Sequence, residues 1–410
     1  MTLFYRILLV VLIFASIEFV AVKRAGKAFS KIFPRINKSK FSKYVRWLLI
    51  FVNLFPVFII AGIIYNMISG SNFVYPPESI LVNFILVFPF WIAILIMIQA
   101  VLLWLPVDLL KYIFIFILWR KKEQVKLLAD KYVVAIIAFC VLYVPVRVVY
   151  DYYKISVRPV EYVKKNLPHE LDGFKITFIS DLQADPYTNS NRLKNYIQKV
   201  NETSPDLVLI GGDMITSTPD YINESAEYVG KIKSKYGVYS CVGDHDNWAY
   251  SNDSKRNLSE IENALAKYNV KMLDNKKIII PVKKSKIGIS FVTNTYVEHI
   301  NNTELDSLTN LPEGNDFNIL LTHQPRQYII DEAIKKKFDL MLAGHTHGGQ
   351  ITFLFPFFNL SPTLLETKYV RGDFYFGNLM LIVTRGLGMS IAPFRYNSTP
   401  EITVIRLTSS

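Results

Sequence analysis

Four apolar runs, at about residues 3–22, 47–68, 80–105 and 132–150, each approach the roughly 20 residues that cross a hydrocarbon core as a helix. Runs of this length are longer than a soluble core requires, so residues 1–150 read as a four-helix transmembrane module. Arg6 ahead of the first run suits a signal peptide. No small-residue cleavage site follows Val22, however, which favours a retained span. A shorter apolar piece, 112–119, cannot cross alone. Pro106 is expected to end or kink the third helix and leave 108–120 as an interfacial continuation, with Lys111 and Trp119 at headgroup level.

Charge separates this module from the rest. Residues 1–150 carry 17 Lys and Arg against 5 Asp and Glu, while 151–410 carry 29 of each, so the whole excess of +12 lies in the first part. Balanced charge in the second part argues against a nucleic-acid partner. The segment 23–46 holds nine basic and no acidic residues, 69–79 holds no basic residue, and 120–131 is basic again. Basic loops stay cytoplasmic. Four spans then give a multi-pass protein of the plasma or cytoplasmic membrane, with residues 151–410 on the extracytoplasmic face. The basic loops also suit anionic headgroups. Glu18, Arg6 and Arg147 are the charged residues inside these spans, each near a span end where snorkelling accommodates it, so a transport role is disfavoured. Cys140 and Cys241 stand alone in apolar runs and form no disulfide framework or zinc ribbon.

After a linker at 151–173, residues 174–410 alternate short apolar strands with polar, helix-like stretches. Strands are expected at 175–180, 207–211, 238–242, 287–293, 318–321 and 340–343, then at 379–384 and 402–407 without intervening helices. Ligand sites in such sheets gather outside the carboxyl ends of strands. Here those ends read Asp181-Leu182-Gln183, Gly212-Asp213, Gly243-Asp244-His245-Asp246, His323 and Gly344-His345-Thr346-His347. A single strand-end Asp is an ordinary turn or helix-capping residue. Five such endings in chain order, using four of the six histidines, point instead to a shared site. The glycines allow the close backbone approach that an ion site needs. Carboxylates that bridge, imidazole and oxygen ligands, and a nearby imidazole acid suit two divalent ions about 3.5 to 4 Å apart acting on phosphorus.

These residues resemble the calcineurin-like metallophosphoesterase family, whose signature is D-x-H, G-D, G-N-H-D/E, a lone H and G-H-x-H, each after a strand. Residues 344–350 and 385–388 resemble its membrane-anchored bacterial YkuE-like branch. The resemblance implies a four-layer α/β/β/α sandwich and a metal-dependent phosphoric ester hydrolase. It implies Asp181, Asp213 and His347 at a first metal, Asp213 bridging, and His323 and His345 at a second. His245 corresponds to the general acid or transition-state stabiliser, and Asp246 to the acidic residue that orients it. Two positions depart: Gln183 replaces a histidine and Asp244 an asparagine, both still able to coordinate. Loss of an imidazole favours Mn²⁺, Mg²⁺ or iron over Zn²⁺. The added carboxylate disfavours a doubly charged monoester and points to a phosphodiester or pyrophosphate.

The expected function is therefore a membrane-anchored, binuclear phosphoesterase working by attack of metal-bound hydroxide. A lipid-linked substrate is one candidate, because the apolar stretch 353–358 after the ligand loop can either dip toward acyl chains or pack in the core. The alternative is a non-catalytic, metal-dependent binding or sensing domain that signals through its helices.

Overall fold

The computed structural model describes residues 3–69, 79–250, 253–390 and 392–410. The chain forms two compact units. One comprises the residues up to Arg147 together with Phe353–Leu360, the other Val148–Thr352 with Ser361–Ser410.

The first unit holds helices α1 (Leu3–Ile32), α2 (Lys38–Val52), α3 (Leu54–Ser69), the short α4 (Ile80–Val82) and α5 (Phe88–Ile117), entered through a π-helical turn at Asn83–Val87. It also holds most of α6 (Lys122–Tyr153). Two stretches, Asn83–Ile117 and Trp119–Tyr153, are long and apolar enough to cross a membrane, and the pair α2 and α3 adds a third candidate bent by 42°. The run 47–68 is thus not one helix. Asn53 caps α2 and Pro56 lies in the first turn of α3, where it cannot donate to the carbonyl of Val52. Pro106, expected to end or kink the third helix, does not end it: α5 continues through it to Ile117. The basic segment 23–46 is mostly helical, being the end of α1 and the start of α2. The neutral loop at 70–78 lies outside the described residues.

Longer helices bring in charges that the sequence reading placed outside the spans. Arg24 on α1 donates Nε and Nη2 to the two carboxylate oxygens of Asp108 on α5, at 2.5 and 2.8 Å, and Nη1 to Asp130 on α6 at 2.7 Å. Lys111 and Lys31 add a second cation to each carboxylate. One guanidinium therefore ties three helices together. This pairing gives α5 a reason to stay helical past Pro106, since Asp108 lies on that last segment.

The second unit contains two six-stranded mixed sheets. The first runs β1 (Ser156–Lys164), β14 (Glu401–Ser409), β2 (Lys175–Ile179), β3 (Leu207–Ile210), β4 (Val238–Ser240) and β5 (Val270–Met272). The second runs β12 (Gly372–Phe376), β13 (Leu379–Val383), β9 (Leu340–Ala343), β8 (Phe317–Thr322), β7 (Ser285–Val292) and β6 (Lys276–Val282). Segment 151–173 is not a free linker: β1 pairs in parallel with β14 along its whole length, and Asp151 accepts a hydrogen bond from Thr399. Pairing satisfies the backbone of an otherwise exposed edge.

Alternate faces of the buried strands feed different cores. Phe178, Leu209, Phe291, Leu321, Leu342 and Ile382 fill the space between the sheets. Ile179, Val208 and Ile210 face outward to α7 (Ser190–Glu202), α8 (Ile222–Val229) and α9 (Ser254–Ala266). On the far side Leu320, Met341 and Leu381 meet α10 (Asn302–Thr309) and α11 (Gln327–Lys335). These three cores define four layers, α/β/β/α. In α7, buried Leu193, Tyr196, Ile197 and Val200 show the helical spacing that one-sided packing requires.

Arg24→Met should leave Asp108 and Asp130 without their shared cation and destabilise the helical unit by about 3 kcal/mol. The expected readout is a lower apparent Tm of the full-length protein in detergent, largely restored when Asp108→Asn and Asp130→Asn are added. An unchanged Tm would mean that the network holds nothing together.

Candidate metal centre

Parallel strands point their carboxyl ends the same way, so the loops after β2, β3, β4, β8 and β9 meet. They are stitched by backbone bonds: Asp181 N–H to Gly212 O and Gln183 N–H to Asp213 O, both at 3.0 Å, and Gly344 N–H to His323 O at 3.0 Å. Asp181, Gln183, Asp213, His345 and His347 all adopt left-handed backbone, with φ between 49° and 69°. That conformation costs a non-glycine residue about 1 kcal/mol or more, and such strain concentrates at functional sites. Glycine is required beside them. A Cβ on Gly344 would lie 1.9 Å from Ser180 Oγ, and one on Gly243 would lie 2.2 Å from Asp213 Oδ1.

The structure brings the seven sequence-derived ligand candidates into one buried cluster. Asp244, His323 and His345 offer one donor atom each within 4.8 Å of one another, and so do Asp181, Asp213 and His323. His347 Nε2 lies 3.5 Å from Asp181 Oδ1, and Gln183 donates Nε2 to Asp213 Oδ2 at 2.7 Å. Three buried atoms in this cluster have no hydrogen-bond partner: Asp181 Oδ2, Gln183 Oε1 and His323 Nε2. His323 donates from Nδ1 to Gly211 O at 2.6 Å, which turns its Nε2 toward Asp213 and Asp244, at 3.4 and 3.2 Å. Unpaired buried acceptors are costly unless something positive sits among them.

Electrostatics point the same way. Burial, then the neighbouring carboxylates of Asp181, Asp246 and Asp244, drive the proton affinity of Asp213 well above the ordinary carboxylate range. Burial works against a charged His323, yet Asp213 and Asp244 hold it well above the usual imidazole value. The donor set therefore fits divalent cations: oxygen donors from Asp181, Gln183, Asp213 and Asp244 stand together with the imidazoles of His323, His345 and His347.

Asp244 is well accommodated despite its extra charge. Gln324 Nε2 donates to both of its oxygens at 2.8 and 2.9 Å, Tyr296 N–H donates at 2.6 Å, and His345 Nδ1 lies 2.7 Å away. His345 is braced from behind by Glu366, at 3.0 Å from Nε2, whose carboxylate also accepts from Tyr296 Oη and Arg326 Nη2. His345 and these partners hold Glu366 down at about 2. Sequence reasoning missed this group. Gln324 directly follows a candidate ligand and was readable, whereas Glu366 sits in an irregular segment with no motif around it. Arg395 is fully buried and donates to the carbonyls of Gly388, Arg385 and His347, so it braces the His347 loop from below.

His245 lies beside this cluster. Its Nδ1 is held by the Thr216 carbonyl, its Nε2 sits 3.2 Å from Ser390 Oγ, and its ring packs on Trp248. Burial pulls it down to about 4, so the ring is neutral near pH 7. Asp246 does not orient it. The Asp246 carboxylate accepts the backbone N–H groups of Asp213, Met214 and Gly243 at 2.7 to 2.9 Å, because residue 246 turns inward from the 3₁₀ turn that carries His245. Asp246 thus fixes the loop that carries Asp213.

Residues 174–349 match the family described as Calcineurin-like phosphoesterase. The chain is 31% identical over 250 residues to the uncharacterized metallophosphoesterase YkuE of Bacillus subtilis, covering 60% of this chain and 82% of YkuE. This chain belongs to the calcineurin-like metallophosphoesterase family, in the branch that includes YkuE. It is 28% identical over 238 residues to the phosphodiesterase YaeI of Escherichia coli, covering 57% of this chain and 82% of YaeI. It is also 28% identical over 261 residues to a Danio rerio protein named transmembrane protein with metallophosphoesterase domain, covering 60% of this chain and 56% of that protein.

His245 has a depressed proton affinity in the folded chain, against a reference of 6.5. As pH falls from about 6.5 to 4, the unfolded chain takes up this proton first, so folded stability is lost across that window. Metal-stripped His245→Gln should therefore lose less Tm between pH 6.5 and 4 than wild type in scanning fluorimetry. Parallel curves would contradict a buried, neutral His245.

Proposed function

We propose that this protein is a membrane-anchored phosphoesterase with two divalent ions, one held by Asp181, Gln183, Asp213 and His347 and the other by Asp213, Asp244, His323 and His345. The observation that carries this reading is the convergence, from five strand ends, of carboxylate, amide and imidazole groups, three of whose buried atoms, Asp181 Oδ2, Gln183 Oε1 and His323 Nε2, lack a hydrogen-bond partner. When bound, the ions supply an acidified water as nucleophile and a clamp for the phosphoryl oxygens.

The remaining chemistry belongs to side chains of this chain. The Thr216 carbonyl fixes the His245 tautomer and keeps Nε2 turned toward Ser390. Burial keeps the ring neutral before substrate arrives. A phosphoryl anion beside Nε2 raises its proton affinity, so the ring takes up a proton with the substrate and releases it to the leaving oxygen. Asp246 and Arg395 are positioning residues: the first holds the loop of Asp213, the second the loop of His347.

A phosphodiester or pyrophosphate is the preferred substrate class. Three carboxylates among the ligands repel a dianionic monoester more than a monoanionic diester, and a relative bears the name phosphodiesterase. The loss of one imidazole at Gln183 favours Mn²⁺, Mg²⁺ or iron over Zn²⁺. Two apolar helical stretches, with the bent pair α2 and α3 as a third candidate, support a membrane anchor within residues 1–150; the four apolar runs and the two basic segments of the sequence are what favour four spans and an extracytoplasmic domain over 174–410. An anchored site favours a lipid-linked phosphate ester, and the pairing of a membrane segment with this domain also appears in the name of the Danio rerio relative.

The test is metal content and turnover of full-length protein in detergent, supplied with Mn²⁺, Mg²⁺, Fe²⁺ or Zn²⁺. We expect two ions per chain, faster hydrolysis of bis-p-nitrophenyl phosphate than of p-nitrophenyl phosphate, and a fall of about 10²- to 10⁴-fold in kcat for His245→Ala with metal retained. Two ions without turnover of any phosphate ester would replace this reading with a metal-dependent sensing domain. Absence of bound ions would mean that Gln183 and Asp244 have dismantled the site.

A further inference from the structure

The segment between the ligand loop and Glu366 leaves the sandwich. Phe353–Leu360 belongs to the helical unit, where β10 (Phe353–Phe355) and β11 (Phe358–Leu360) form a small antiparallel hairpin. Its first six residues, Phe353-Leu354-Phe355-Pro356-Phe357-Phe358, contain no polar side chain. At the turn Phe357 has φ of 78° and is completely exposed, and Phe358 is more than half exposed. In water a hairpin of three paired positions with an aromatic tip is a poor structure, since it leaves apolar surface wet and backbone edges unpaired.

Gln99 on α5 bonds the edge of the hairpin. Gln99 donates Nε2 to Leu354 O at 2.7 Å and accepts from Leu354 N–H through Oε1 at 2.9 Å, which imitates the next strand of a sheet. Gln99 is fully buried and lies within Asn83–Ile117, one of the two stretches suited to crossing a membrane. A primary amide in hydrocarbon is costly without partners, and so is an unpaired strand edge. Each of these two groups satisfies the other. A glutamine in a candidate span, two-fold bonded to the edge of an otherwise apolar hairpin, is what an apolar surrounding demands and an aqueous one does not.

We propose that the hairpin Phe353–Leu360 is inserted in the apolar layer of the bilayer, clamped to α5 by Gln99, with Phe357 and Phe358 against lipid acyl chains. It rests on the reading that α5 crosses the membrane. Through the chain, its two ends run directly into His347-Gly348-Gly349 and into Ser361–Glu366, so both strands lead to groups of the metal centre. Insertion ties that centre to the lipid phase and gives the enzyme access to phosphate esters carried on lipids.

The experiment is site-directed spin labelling of the full-length protein in vesicles of phosphatidylglycerol and phosphatidylethanolamine, with Cys140→Ala and Cys241→Ala as background. Nitroxides are placed through Phe357→Cys at the hairpin tip, Leu109→Cys on an exposed face of α5, and Tyr375→Cys on an exposed position of β12. Relaxation by oxygen reports lipid, and relaxation by a water-soluble nickel chelate reports solvent. The expected result is a lipid signature at 357 and 109 and a solvent signature at 375. In Gln99→Leu, position 357 should shift toward solvent while 109 keeps its lipid signature. A solvent signature at 357 with a lipid signature at 109 overturns the insertion of the hairpin alone. A solvent signature at 109 overturns the span reading and the insertion together. An unchanged signal at 357 in Gln99→Leu overturns the clamp.

Discussion

Negative charge packed without solvent is the constraint on which the rest of the structure depends. Asp181, Asp213, Asp244 and Asp246 are all buried at the ends of neighbouring strands. Such a cluster persists only if each oxygen is neutralised. Asp246 is satisfied by three backbone N–H groups and Asp244 by Gln324 and a backbone amide; Asp213 accepts from the His245 N–H and the Gln183 amide and Asp181 from the His345 N–H, which leaves Asp181 Oδ2 without a hydrogen-bond partner. The left-handed backbone at Asp181, Gln183, Asp213, His345 and His347, the glycines that a Cβ would block and the fully buried Arg395 beneath the His347 loop all serve to hold these groups together.

Much of this was legible in the sequence because parallel strands in a covered sheet leave a simple signature. Leu207–Ile210 and Leu340–Ala343 are continuous apolar runs, each followed by glycine and a potential ligand, and both are strands buried on both faces. Strand β1 escaped notice because it lies at an edge, with alternating exposed and buried residues such as Arg158, Val160 and Glu161, and reads as polar linker. Glu366 escaped because its role depends on a distant chain segment returning to His345, which no local pattern records. Asp246 was misassigned because adjacency in sequence to His245 suggested contact, whereas a tight turn sends consecutive side chains apart.

The helical half was legible in composition and less so in detail. Apolar runs locate the helices, but helix ends depend on which charges find partners. Arg24, Asp108 and Asp130 look like interruptions one at a time, and only their mutual pairing lets α1, α5 and α6 extend past them. Gln99 is a similar case. Alone it is a polar residue in an apolar run, and its meaning comes from Leu354, far away in the chain.

The chemistry of the site depends on whether the buried cluster is built for two cations sharing Asp213. X-ray absorption at the metal edge on Mn²⁺-loaded full-length protein measures this directly. The account predicts a metal-to-metal separation of about 3.5 to 4 Å with oxygen and imidazole scatterers, and loss of that vector in Asp213→Asn. A single ion without a metal neighbour, or a pair that survives Asp213→Asn, would contradict it.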